Sequence, residues 1–162
     1  MARLLIQHGT ILTFGEPCRV LEGMDLLIDG EWIAEIAPAG RIHGPFDEIL
    51  DARGKVVLPG LINAHTHVPM TLLRGLADDL RLDVWLMGYM MPVEREFVSP
   101  DFVHLGTQLA CAEMIRSGTT CFADMYYFED SVARATSEAG LRGVLGQSVL
   151  KFPAPAAAPL EG

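Results

Sequence analysis

Cysteine is scarce in this sequence and follows no metal-binding pattern. Only Cys18, Cys111 and Cys121 are present, an odd number without a C-x-x-C spacing. A disulfide framework needs paired cysteines, and a cysteine zinc site needs closely spaced ones, so neither is predicted. This usage is typical of a protein from the reducing cytoplasm.

Long hydrophobic runs and an excess of positive charge are also missing. The first apolar stretch, in MARLLIQHGTIL, is interrupted by Gln7, His8 and Gly9, so we expect neither a signal peptide nor a membrane span. Twelve basic residues stand against 21 acidic ones, a net charge of −9. That balance disfavours nucleic acids and anionic membranes as partners, and we expect a soluble, cytoplasmic protein.

The first 58 residues are predicted to be rich in β-structure. Short apolar runs alternate with turn residues in LLIQ, TILTF, DLLID and WIAEI. Asp29-Gly30 separates two of these runs, and glycine tolerates the positive φ of a tight hairpin turn. We therefore expect a strand from Met24 to Ile28 to pair with one from Trp32 to Ile36, and a domain boundary near residue 58.

After Pro59-Gly60 the pattern changes to strands alternating with helices, which is typical of a parallel sheet. LINA is the first predicted strand. A helix is predicted from about Asp78 to Met91, because Leu80, Val84 and Met87 share a face with Met91. Pro92 should stop that helix or begin a new element.

Further elements follow in the same rhythm. Ser99-Pro100-Asp101 has the residue types of a helix start, and glycines mark the predicted helix ends. The expected elements are a helix from Ser99 to Gly118, a strand Thr119–Ala123, a helix Glu129–Ala139 closed by Gly140, and a strand Val144–Leu150. Three parallel strands fit a doubly wound sheet or a barrel, and periodicity does not separate them. A barrel needs about eight strands, so most of it would lie beyond residue 162.

His65-Thr66-His67, directly after LINA, is the strongest chemical feature. Pro69 favours an extended chain before it, and in an extended chain residues two apart project to the same side. Both imidazoles could then reach one metal ion at about 2.0–2.1 Å. The pair also lies at the carboxyl end of a predicted parallel strand, where α/β proteins build active sites. From the residues alone, two polar loop histidines are an equal alternative.

Longer motifs carry a family resemblance over essentially the whole chain. VLPGLINAHTHVPMTLLRGLADDLRLDVWL, followed by MPVE, SGTTCFADMY and GLRGVLG, resembles the amidohydrolase superfamily. The resemblance is to deaminases acting on S-adenosylhomocysteine and 5'-methylthioadenosine in particular, and to triazine hydrolases and guanine or cytosine deaminases more distantly. It implies an α/β fold: a β-sandwich portion (1–58), then the first strands and helices of an incomplete TIM-like (β/α)8 barrel (59–162).

The resemblance also implies site residues. His65 and His67 match two metal ligands, and Glu94 of MPVE matches a glutamate that holds ribose hydroxyls, a task suited to a carboxylate with two acceptor oxygens. Without the resemblance, Glu94 would be read as a solvated carboxylate paired with Arg95 or Lys55. Gln147 stands where close relatives tend to carry arginine, which leaves the substrate open.

The other candidates carry weaker signals. Asp124 follows the second parallel strand, where it could serve function or cap the following Met-Tyr-Tyr segment. Trp85 is assigned no role, and His8, His43 and His104 are expected to be surface or core residues rather than ligands.

The implied activity is hydrolytic deamination of adenosine-type nucleosides with a divalent metal, zinc in the first place. The remaining ligands and a proton-shuttling glutamate belong to later strands, so no catalytic residue is assigned and residues 1–162 alone are expected to be inactive. The alternatives are hydrolysis of another ring C–N or C–Cl bond, in a guanine, cytosine, pterin or triazine substrate, and a non-catalytic truncated product. The full-length form is expected to bind a small molecule and to pair as a homo-oligomer, without nucleic acid or membrane partners.

Overall fold

The structure is a computed structural model that describes residues 2–149 and residue 155. The described residues form a mixed α/β structure with three sheets. The chain divides into two compact units, Met1–Pro59 and Gly60–Gly162.

The first unit consists of short strands. They are β1 Arg3–Gln7, β2 Thr10–Leu12, β3 Val20–Leu21, β4 Met24–Asp29, β5 Trp32–Pro38, β6 Glu48–Asp51 and β7 Val56–Val57. Four form a sheet in the order β5-β4-β1-β6, and three form a second sheet in the order β3-β2-β7. The arrangement of these sheets as a sandwich stays a prediction.

The hairpin predicted at Asp29-Gly30 is confirmed. β4 and β5 pair antiparallel, with Asp29 opposite Trp32. Gly30 has a φ of 61°, which a side chain would strain. Leu5 of β1 lies opposite Leu27 of β4, and the two side chains form a buried cluster with Ile42.

The second unit contains a three-stranded parallel sheet. Its strands are β8 Leu61–Thr66, β9 Thr119–Tyr126 and β10 Arg142–Gln147, in the order β10-β9-β8. The three predicted parallel strands are therefore confirmed, with different limits. β9 runs three residues beyond Ala123, and β10 begins and ends earlier than expected; Leu150 lies outside the described residues.

Helical segments connect these strands. They are a 3₁₀ helix Val68–Leu73, a π-helix Val84–Met90, α1 Met91–Phe97, α2 Pro100–Arg116 and α3 Glu129–Ala139. Ser99 caps α2 by accepting a hydrogen bond from the amide of Phe102 at 3.2 Å, as its position predicts. Gly140, with a φ of 75°, ends α3, also as predicted.

The helix expected from Asp78 to Met91 begins later than predicted. Asp79 has a φ of 57°, which breaks a right-handed helix, so Leu80 lies outside it. Helical structure begins at residue 82, includes the π-helix and continues through Pro92 to Phe97. Pro92 lies in the first turn of α1, where a missing N–H costs little, so the alternative that it begins a new element is confirmed.

The core of this unit joins α2, α3 and β9. Val103, Cys111, Phe122 and Val132 are fully buried there. Burial of these apolar side chains holds the two helices against the central strand. Within the described residues, no helix has the length and apolar character needed to cross a bilayer.

Candidate active site

The two histidines of the H-x-H motif lie at the carboxyl end of β8. His65 is in the strand and His67 follows it with φ −135° and ψ 71°, before the 3₁₀ helix begins. The segment is extended, as predicted, and the two ring centroids are 5.2 Å apart. The structure therefore brings both imidazoles together at one sheet edge.

A backbone contact fixes the orientation of His67. Its Nδ1 lies 2.7 Å from the carbonyl oxygen of Met125 on the neighbouring strand β9. A carbonyl oxygen only accepts hydrogen bonds, so Nδ1 carries the proton. The neutral ring then has Nε2 free as a lone-pair donor, the arrangement usual for a metal-bound histidine.

The side chain of Asp124 connects β9 to the H-x-H segment. Its Oδ1 accepts hydrogen bonds from the Thr66 hydroxyl at 2.7 Å and from the Val68 amide at 2.9 Å, the residues on either side of His67. Of the two alternatives for Asp124, these contacts support a place at the candidate site. Parallel pairing of β8 with β9 puts its side chain within reach of the motif.

Glu94 is buried rather than solvated. Its side chain is 7% exposed in α1, and its Oε1 accepts a hydrogen bond from the Tyr126 hydroxyl at 2.8 Å. A solvated pair with Arg95 or Lys55 is thus wrong. Burial raises the pKa of Glu94 above its ordinary value, while the hydrogen bond from Tyr126 opposes that shift.

His67, Glu94 and Tyr126 line one cavity of about 690 Å³. Met70, Trp85 and Met91 contribute to its walls, which are predominantly apolar. Ligand sites are typically about 300–1,000 Å³, apolar, and equipped with a few polar groups that orient the ligand. Trp85, to which the sequence assigned no role, is therefore part of the cavity wall.

A second buried carboxylate lies near Asp124. Oδ2 of Asp124 and both carboxyl oxygens of Glu129 are buried and have no hydrogen-bond partner in the described part of the chain. Burial, together with the negative charge of Asp124, raises the pKa of Glu129 to about 7. Burial likewise raises the pKa of Asp124, opposed by the hydrogen bond from Thr66.

Gln147, the position where relatives tend to carry arginine, has a local structural contact. Its Oε1 accepts a hydrogen bond from the amide of Glu129 at 3.2 Å. This contact satisfies one of the free amides at the start of α3. Gln147 therefore links the end of β10 to the helix that follows β9.

Two of the other histidines have carboxylate partners. His104 in α2 lies 3.3 Å from Glu138, and His8 in the first unit lies 3.0 Å from Asp51. Within residues 2–149 and 155, no group of three or more histidine, cysteine, aspartate or glutamate side chains is arranged to hold a metal. His65 and His67 thus offer two ligands.

Sequence reasoning missed Tyr126 and Glu129 as neighbours of the site. The signal for Tyr126 was its place in FADMYY, at the carboxyl end of β9, where α/β proteins position functional side chains. Its partner Glu94 is 32 residues away, so no local pattern links the two.

Known proteins with similar sequences belong to one family. The sequence model of the amidohydrolase family matches residues 56–161. The 5-methylthioadenosine/S-adenosylhomocysteine deaminase of Syntrophobacter fumaroxidans is 50% identical, over 99% of this chain and 37% of its own length. The chain therefore spans about a third of the length of the curated relatives it matches.

Two solved structures share the fold. A zinc-bound adenosine deaminase from Xanthomonas campestris matches with a TM-score of 0.89 and 40% identity, over 97% of this chain and 36% of that one. The zinc complex of atrazine chlorohydrolase from Arthrobacter aurescens TC1 matches with a TM-score of 0.83 and 25% identity, over 93% of this chain and 36% of that one.

Proposed function

Because the chain belongs to the amidohydrolase family, we propose that the protein is a metal-dependent hydrolase that deaminates adenosine-type nucleosides. 5'-Methylthioadenosine and S-adenosylhomocysteine are the first candidate substrates, since they name the activity of a relative with 50% identity. The observation that carries the proposal is the shared cavity, in which one histidine of the H-x-H motif and the buried carboxylate of Glu94 meet.

His65 and His67 would hold the metal. Their rings are adjacent on an extended strand, and the Met125 carbonyl fixes the tautomer of His67 that exposes Nε2, so the donor set fits a divalent cation. When bound, such a metal supplies an activated water molecule for attack on the amine-bearing ring carbon. Zinc is the proposed ion, since two structural relatives carry it.

Glu94 would bind the sugar. A buried carboxylate with one oxygen held by Tyr126 offers its remaining acceptor capacity to neighbouring hydroxyl groups, as in a ribose diol. The apolar walls around it suit a purine ring and would exclude water from it. Triazines carry no diol, so Glu94 favours a nucleoside over hydrolysis of a ring C–Cl bond.

We propose that β8, β9 and β10 are the first strands of a (β/α)8 barrel, supported by their parallel, sequential order. We also propose a cytoplasmic location, which the three free cysteines support. A homo-oligomeric assembly stays a prediction.

An ammonia-release assay tests the proposed reaction. The substrates are adenosine, 5'-methylthioadenosine and S-adenosylhomocysteine, and zinc is supplied to residues 1–162 and to the protein made from the complete reading frame. Catalytic zinc normally has three protein ligands, and the described residues offer two, so we expect residues 1–162 alone to be inactive.

A matched pair of variants tests the sugar-binding role. Glu94→Gln should raise KM for these substrates, whereas Glu96→Gln, at an exposed position of the same helix, should not. Chloride release from a chlorotriazine without ammonia release from any nucleoside would overturn the proposal in favour of the alternative hydrolase.

A further inference from the structure

Tyr126 and Glu94 form a buried hydrogen bond between two separate elements. Tyr126, in the last position of β9, is 4% exposed, and Glu94 lies in the first turn of α1. The hydroxyl donates to Oε1 at 2.8 Å. A phenylalanine would fill the same apolar space, so the hydroxyl contributes this bond rather than packing alone.

The hydroxyl acts only as a donor to Glu94. Burial, and then the nearby charge of Glu94, raise the pKa of Tyr126 far above its ordinary value, so the phenol keeps its proton. Oε1 of Glu94 is thereby engaged. Oε2 has no partner among the side chains that the structure describes, which leaves it as the oxygen available to a ligand in the cavity.

The position of Tyr126 in β9 links the two halves of the site. The preceding residue, Met125, orients His67 through its carbonyl oxygen, and the Tyr126 ring centroid lies 6.5 Å from that of His67. Consecutive residues of one strand therefore orient the metal-ligand candidate and the carboxylate. Both orienting groups thus belong to one strand rather than to a loop.

We propose that Tyr126 is a positioning residue that sets ribose specificity, by holding the Glu94 carboxylate in one orientation so that it accepts hydrogen bonds from the 2'- and 3'-hydroxyls of a nucleoside. This inference rests on the proposed function. Tyr126 would select ribosides over deoxyribosides and would take no part in the chemical step.

The test compares Tyr126→Phe with wild type and with Tyr89→Phe, which alters an exposed tyrosine of the π-helix. The protein from the complete reading frame is assayed with adenosine, 2'-deoxyadenosine and 3'-deoxyadenosine. We expect KM for adenosine to rise about tenfold in Tyr126→Phe, the effect of losing a hydrogen bond to a charged group, with kcat within about twofold. Each deoxynucleoside keeps only one of the two hydroxyls, so its KM should rise less than that of adenosine, and the preference for the riboside falls.

A double-variant cycle adds a second measurement. In a Glu94→Gln background, Tyr126→Phe should add little to the rise in KM, because the two residues act through one bond. Equal effects on ribosides and deoxyribosides, or additive effects of the two substitutions, would overturn the inference and leave the proposed reaction standing.

A binding measurement distinguishes failure of this inference from failure of the proposed reaction. Adenosine and 2'-deoxyadenosine are titrated calorimetrically into the metal-free protein and its Tyr126→Phe variant. Deamination is measured separately in the zinc-loaded protein. If the metal-free protein binds nucleosides but the zinc-loaded protein does not deaminate them, the proposed reaction fails, and a riboside preference lost in Tyr126→Phe still supports the inference. If no nucleoside binds, both are overturned.

Discussion

His67 Nδ1 and the carbonyl oxygen of Met125 lie 2.7 Å apart across two parallel strands. Because this contact orients the imidazole before any ligand arrives, metal affinity should depend on His67 far more than on histidines elsewhere. His65→Ala and His67→Ala should each lower zinc affinity more than a hundredfold, since even outer contacts of a ligand are worth about 10–100-fold. Competition with a chromophoric chelator measures the zinc affinity of each variant.

His43→Ala is the matched control for that experiment. His43 is exposed, and it lies outside the H-x-H motif. An equal loss of zinc affinity in His43→Ala, or no loss in His67→Ala, would contradict the assignment of the pair as ligands.

Asp124 should stabilise the same motif through its two hydrogen bonds. Asp124→Ala leaves the buried amide of Val68 without an acceptor, so the free energy of unfolding should fall by about 1–3 kcal/mol. Asp124→Asn keeps a carbonyl oxygen that can accept the same bonds and should lose less than half as much. Urea denaturation of both variants measures the difference, and equal losses would mean that the charge of Asp124, rather than its geometry, matters.

Glu129 should make stability depend on pH. Its pKa is about 7 in the folded protein against an ordinary value of 4.5, so between these values the folded state holds a proton that the unfolded state has released. Stability should therefore fall as pH rises from about 4.5 to 7, by up to about 3 kcal/mol. Glu129→Gln should remove this part of the pH dependence in denaturation curves.

Asp130→Asn provides the comparison, because Asp130 is the exposed neighbour of Glu129 in the first turn of α3. It should leave the slope of stability against pH intact. If the stability of the wild-type protein changes between pH 4.5 and 7 in the same way as that of Glu129→Gln, Glu129 is not buried in its protonated form.

Local signals in the sequence predicted much of the fold. The hairpin at Asp29-Gly30, the cap at Ser99 and the helix end at Gly140 depend on residues within one turn, so sequence alone identifies them. The start of the helix near Asp78 failed because apolar spacing cannot reveal the positive φ of Asp79. The π-helix was likewise invisible, since its extra residue per turn leaves no distinct apolar pattern.

Some features of the candidate site could likewise be predicted from the sequence, and others could not. The proximity of His65 to His67 follows from the alternation of an extended strand, so the sequence predicted it. The bonds of Tyr126 to Glu94 and of Asp124 to Val68 connect residues 32 and 56 positions apart. They depend on how β8, β9 and α1 pack, which a single sequence does not encode as a pattern. The burial of Glu94 could not be predicted for the same reason.

Gly106 should be essential for the position of the segment after His67. A Cβ atom on this glycine of α2 would lie 2.6 Å from the carbonyl oxygen of Pro69 and 2.8 Å from its Cα. These are backbone atoms, so α2 and the 3₁₀ helix must separate. Gly106→Ala should therefore lower the free energy of unfolding by about 1–3 kcal/mol, as overpacking typically does.

Gly88→Ala is the control for that substitution, because an added Cβ there would meet nothing within 4 Å. It should be neutral or stabilise by up to about 1 kcal/mol, since alanine favours helical structure over glycine. Zinc binding gives the second readout. If Gly106→Ala displaces the segment beginning at Val68, zinc affinity should fall in that variant and stay unchanged in Gly88→Ala. Full stability of Gly106→Ala would show that α2 does not need this close approach to hold the H-x-H motif in place.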